Sequence, residues 1–160
     1  MSEILGTLFK YLAAIMGVAA VAGIAYAVSG NSKSATAISD LNQMISGVQG
    51  LYNSQNNFSS LTTATVVNSK MVANTHMVVG TTLVNPWNGS VAVAADANVT
   101  QWDITDAGVP ADGCNKIGTS MSPLAMTING TAVTVPADAG SVVSACSSAT
   151  SNTLVLTYSH

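Results

Sequence analysis

Arginine is absent from this 160-residue chain, and the four basic residues, all lysine, face seven acids for a net charge of −3. With no basic stripe to neutralise phosphates, nucleic-acid binding is excluded. Charged side chains make up only 7% of the sequence, against roughly 25% in an ordinary soluble domain. Aromatics are equally scarce at 5%, and proline occurs four times. Catalytic signatures are also missing. There is no Gly-rich phosphate loop, nucleophile elbow, His-x-x-x-His pair or Cys-x-x-Cys motif. His76 and His160 stand alone, so neither a metal nor a cofactor is expected, and the chain does not read as an enzyme. Asp96, Asp103, Asp106 and Asp112 form a loose acidic group without EF-hand spacing and read as solvated loop acids.

Disorder is excluded by what is present, since 48% of the residues are hydrophobic. The polar surface must come from the abundant Ser, Thr and Asn. So weakly charged a surface repels its own copies poorly, which favours self-association.

The apolar residues are concentrated at one end. From Tyr11 to Val28 no side chain is charged, and behind that run lie Ile4, Leu5, Leu8 and Phe9, interrupted only by Lys10. As a helix, eighteen to twenty-five residues reach roughly 27–37 Å, enough to cross a hydrocarbon core. Apolar side chains fall all round it, so no face favours water. The segment is a membrane span or a helix buried in an assembly. A secretory signal peptide fits less well, because Glu3 offsets Lys10 and the run exceeds the usual 7–15 apolar residues. Glu3 is costly beside so apolar a stretch unless it finds a cation or a helix N-terminus. Gly17 and Gly23 lower helix propensity within the run and mark close packing or a place where the helix can stretch.

A polar joint, Ser29–Ser34, contains no proline and is compatible with helical continuation. Ile38, Leu41, Met44, Ile45, Val48, Leu51 and Tyr52 then recur at the spacing of one buried helix face, opposite Ser39, Asp40, Asn42, Gln43, Ser46 and Gln49. This predicts an amphipathic helix over 34–54 that docks on a sheet. Beyond it, Val/Thr-rich runs predict strands at Met77–Val84, Ser90–Ala94, Leu124–Ile128, Thr131–Val135 and Leu154–Tyr158. Asn129-Gly130 is a hairpin signal, and Asn85–Gly89 punctuates between strands. Short helices are expected at Pro110–Ser120 and Pro136–Ser147. Trp87 and Trp102 read as core or turn packing. Asn-x-Ser/Thr triplets at Asn57, Asn88, Asn98 and Asn129 carry little weight in so polar a sequence. Cys114 and Cys146 are an even pair in a chain of exported character, which favours a disulfide over two buried thiols.

An early acid, a long apolar helix, an amphipathic extension, a strand-rich region and a late cysteine pair together resemble a mature type IV pilin. Asn31–Asp40 (N-S-K-S-A-T-A-I-S-D) and Gly50–Leu61 (G-L-Y-N-S-Q-N-N-F-S-S-L) resemble the bundle-forming pilins of the type IVb branch, as does the turn N-P-W-N-G at Asn85–Gly89. The layout covers the whole chain, whereas detailed similarity is confined to roughly the first 61 residues. The resemblance implies an α+β fold with a long N-terminal helix packed on an antiparallel sheet and one disulfide. Residues 1–28 would form the membrane anchor before assembly and the filament core after it, and residues 29–160 the head.

It also implies the life of a structural subunit, the major pilin of an extracellular pilus for adhesion, aggregation or mating contact. A prepilin peptidase would remove a leader and the new terminal amine would be methylated. An inner-membrane platform and motor would extract the subunit from the inner membrane, and an outer-membrane secretin would pass the homopolymer outward. Assembly would rest on Met1, Glu3, Ile4, Leu5, Leu8, Phe9, Leu12, Ile15, Met16, Val21 and Ile24, with Glu3 meeting the amine of a neighbour. The family carries that acid at the fifth residue of the mature chain, whereas Glu3 is third. Either two residues precede Met1, or the acid has slid by about 3 Å along the helix. The competing readings are a monomeric membrane-anchored binding protein and a minor pilin or pseudopilin.

Overall fold

The computed structural model describes residues 30–72 and 75–159. The chain divides into two units, Met1–Ser32 and Lys33–His160, and the second is the α+β head. Helix α1 covers residues 30–52, so the polar joint is helical from residue 30. On it Ser34, Ala37, Leu41, Met44, Val48 and Tyr52 are buried, each three or four residues from the next, which makes one stripe. The phase differs slightly from the sequence expectation. Leu51, assigned to the buried face, is 42% exposed, while Asp40, assigned to water, is only 5% exposed.

The stripe faces a seven-stranded antiparallel sheet of order β1-β2-β3-β4-β7-β5-β6. The strands are β1 (Val78–Val79), β2 (Thr82–Val84), β3 (Ser90–Ala95), β4 (Gln101–Val109), β5 (Ala125–Ile128), β6 (Thr131–Val133) and β7 (Asn152–Ser159). Three short helices complete the head: α2 (Thr63–Asn68), α3 (Ala111–Ser120) and α4 (Ala139–Ala145). The expected strand Met77–Val84 is instead the β1–β2 hairpin, because Gly80 at φ +64° turns the chain. Asn129 and Gly130 both have positive φ, as their hairpin requires. The helix expected from Pro136 begins three residues later, where the Asp138 carboxylate accepts the Ser141 N–H at 3.0 Å and caps α4.

Four rings link helix to sheet. Tyr52 at the end of α1 lies 5.2 Å from Phe58, which lies 6.1 Å from Trp102 on β4, itself 5.3 Å from Tyr158 on β7. In a chain with so few aromatics, this one column fills the space between α1 and the central strand pair. Trp102 thus belongs to the core, as its sequence context suggested.

Candidate assembly surface

Cys114 on α3 and Cys146 at the end of α4 form a disulfide, with Cα atoms 5.9 Å apart. Both are buried, so the bond is structural and closes the segment between β4 and β7. The other expected assembly residues lie outside the described residues: Met1, Glu3, Ile4, Leu5, Leu8, Phe9, Leu12, Ile15, Met16, Val21 and Ile24, together with Gly17 and Gly23. What the structure supplies is the head that such a segment would carry.

The turn at 85–89 is built by one side chain. Asn85 Oδ1 accepts the N–H groups of Trp87 (3.0 Å) and Gly89 (2.8 Å). Its amide nitrogen donates to Asp106 Oδ1 (2.7 Å) and to the Ala107 carbonyl (2.8 Å). The turn is thereby fastened to β4 where the β4–β7 register shifts, between Asp106 and Val109. The reading of Asp106 as a solvated loop acid is corrected here: it is 0% exposed on the inward side of β4. Its second oxygen has no partner among the described residues, and burial pushes its pKa up to about 6 despite the bond from Asn85. Asp103, on the outward side of the same strand, is also raised by burial although Thr157 donates to it at 2.6 Å. Asp40 on α1 is raised by burial, opposed by the nearby His76 and its backbone N–H. Asp112 is the exposed acid of the group and pairs with Lys116 at 3.3 Å, a contact of little energetic weight.

Asn152 pins the far side of the bulge. Its amide donates to the Val109 and Ser148 carbonyls, and its Oδ1 accepts from Asn129 Nδ2 at 2.9 Å. Asn129 in turn donates to the Ala145 carbonyl and accepts the Thr153 N–H. This network joins α4, the β5–β6 turn and the start of β7, so the disulfide-closed segment is hydrogen-bonded to the sheet. An open groove of about 700 Å³ between β6 and α4 is lined by Thr131, Val133, Ser141, Ser144 and their neighbours. Its walls are small and hydroxylated, with no convergent charged set to perform chemistry. Among the described residues no group of ligating side chains could hold a metal, and no helix is long and apolar enough to cross a membrane. Exposed large apolar side chains are scattered, at Leu51, Val79, Val99, Leu124 and Val143.

A helix with one buried stripe, an antiparallel sheet and a disulfide-closed segment before the last strand define a pilin head. Several solved structures have this fold, among them two pilins. One is a type IV b pilin from Salmonella typhi, with 23% identity and a TM-score of 0.65 over 79% of this chain and 99% of that one. The other is TcpA, a type IV pilin from Vibrio cholerae El Tor biotype, with 16% identity and a TM-score of 0.55 over 80% and 99% respectively. No curated protein sequence matches the chain. Residues 31–159 match the PilS N-terminal family, and the chain belongs to it. The head has the type IV pilin fold.

Proposed function

We propose that this chain is the major subunit of a type IVb pilus and that it polymerises through residues 4–28. The observation that carries the reading is the placement of eighteen consecutive uncharged residues, Tyr11–Val28, immediately ahead of a pilin head in sequence. Burial among identical helices removes that surface from both water and lipid, and it dominates the association free energy. Glu3 supplies direction. In a dry bundle its carboxylate is tolerable only beside a cation, and the resemblance to type IV pilins assigns that role to the terminal amine of a neighbouring subunit. Before assembly the same segment holds the subunit in the inner membrane, where a prepilin peptidase, an assembly platform with its motor and an outer-membrane secretin act in turn. The filament then serves adhesion, aggregation or mating contact. Glu3→Ala tests the mechanism: the head keeps its fold and disulfide, while filament yield falls sharply. Undiminished yield from that variant removes the acid from assembly.

A further inference from the structure

Four Asn-x-Ser/Thr triplets begin at Asn57, Asn88, Asn98 and Asn129. An N-linked glycan needs the amide nitrogen of such an asparagine on accessible chain outside the cytoplasm. The structure separates the four. Asn129 commits both amide hydrogens, to the Ala145 carbonyl and Asn152 Oδ1, each at 2.9 Å. The triplet at Asn57 threads Phe58 through the core, 0% exposed, so it cannot be drawn out without removing a ring of the aromatic column. At Asn88 the next residue, Gly89, is held by Asn85 through its N–H and its carbonyl, and Ser90 already begins β3.

Asn98 differs in its amide nitrogen. It lies between β3 and β4, and residues 97–100 are all exposed. Its Oδ1 accepts the Thr100 N–H at 3.2 Å and the Thr100 hydroxyl at 2.9 Å, and its amide nitrogen has no hydrogen-bond partner among the described residues. Asp96, two residues ahead, accepts the Asn98 N–H at 2.7 Å. Backbone bonds also hold the turn, from the Asp96 N–H to the Gln101 carbonyl, from the Gln101 N–H to the Asn98 carbonyl and from the buried Phe58 N–H to the Val99 carbonyl.

We infer that Asn98 is an N-glycosylation site, modified by an oligosaccharide transferase after the head has crossed the inner membrane. The inference rests on the reading of the chain as an exported subunit. Asn98 Nδ2 attacks the anomeric carbon of a polyprenyl-diphosphate-linked oligosaccharide. The new C–N bond forms as the C–O bond to the diphosphate breaks; the diphosphate leaves with the electron pair, and a base of the transferase takes one amide proton. No redox change occurs. The glycan hydrates a surface that has little charge to do so, and it covers Val99, which is 48% exposed.

The test is mass spectrometry of the subunit purified from its own bacterium, intact and as the peptide spanning Asp96–Thr100. An oligosaccharide mass on Asn98, lost in Asn98→Gln and in Thr100→Ala but retained in Asn57→Gln, is the expected result. An unmodified Asn98 peptide, or an unchanged glycan mass in Asn98→Gln, overturns the inference. Filaments are imaged from the same preparations. Filaments built from unmodified subunits defeat the glycan alone, whereas a glycosylated subunit that never polymerises defeats the filament reading alone.

Discussion

Asn85 donates to Asp106 across 2.7 Å, and this single bond ties the 85–89 turn to an acid on the buried face of the central strand. The other Asp106 oxygen is left without a partner among the described residues. A carboxylate in that position is poorly solvated, which is why its pKa rises from 3.8 to about 6.

The sign of the pH dependence follows. Between pH 3.8 and about 6 the folded chain keeps the Asp106 proton while the unfolded chain releases it. The stabilising contribution of that proton is complete below the lower value and is lost as pH rises through the higher one. Its size is on the order of 2–3 kcal/mol. Urea midpoints should therefore fall as pH is raised from 4.5 to 7. Asp106→Asn should flatten most of the slope, leaving a remainder of the same sign from Asp40 and Asp103, both also raised by burial. An unchanged slope in Asp106→Asn contradicts this assignment.

The disulfide closes a loop of 32 residues in sequence separation. Replacing both Cys114 and Cys146 by Ser should lower the head's unfolding free energy by about 3–4 kcal/mol, chiefly by freeing the unfolded chain. Chemical denaturation of the two heads checks it. A loss below about 1 kcal/mol would contradict this account of the disulfide.

Two glycines should respond oppositely to alanine. A Cβ on Gly89 would overlap the Ala107 carbonyl oxygen, a backbone atom with nowhere to move, and would press on Asn85 Nδ2 at 2.7 Å. Gly89→Ala should cost about 2–3 kcal/mol or more. At Gly50 a Cβ would meet nothing within 4 Å, and the position is helical. Gly50→Ala should raise stability by up to about 1 kcal/mol. Thermal melts of the two variants should move in opposite directions, and a shared direction would refute the geometry of the turn.

Much of this head was legible because its periods are regular. The α1 stripe, the Asn129-Gly130 hairpin and the cysteine pair announce themselves through spacing or turn chemistry. The central strand β4 did not. It alternates correctly, with Trp102 and Ile104 inward, but the next inward residue is Asp106, and an acid at a core position breaks the apolar pattern on which strand reading depends. Its partner, Asn85, lies 21 residues away in sequence, so only the fold reveals why the acid is tolerated. Helix α2 was missed because T-A-T-V-V-N is poor in helix formers. Its one local signal is Thr62, whose side chain accepts the Thr65 N–H at 3.2 Å. Leu51 was misplaced because a leucine at helical spacing carries no mark of which side of the stripe it borders. The exposed turn at Asn98 could be separated from three similar triplets only once burial and hydrogen bonding were known.

The most direct test of the whole reading is helical reconstruction by electron cryomicroscopy of fibres formed by the full-length chain. Uniform filaments with residues 4–28 of many subunits bundled along the axis, Glu3 beside a neighbour's terminal amine and the disulfide-closed heads outside, are the expected result. Dispersed single subunits in detergent, or fibres whose axis is built from the heads alone, would contradict it.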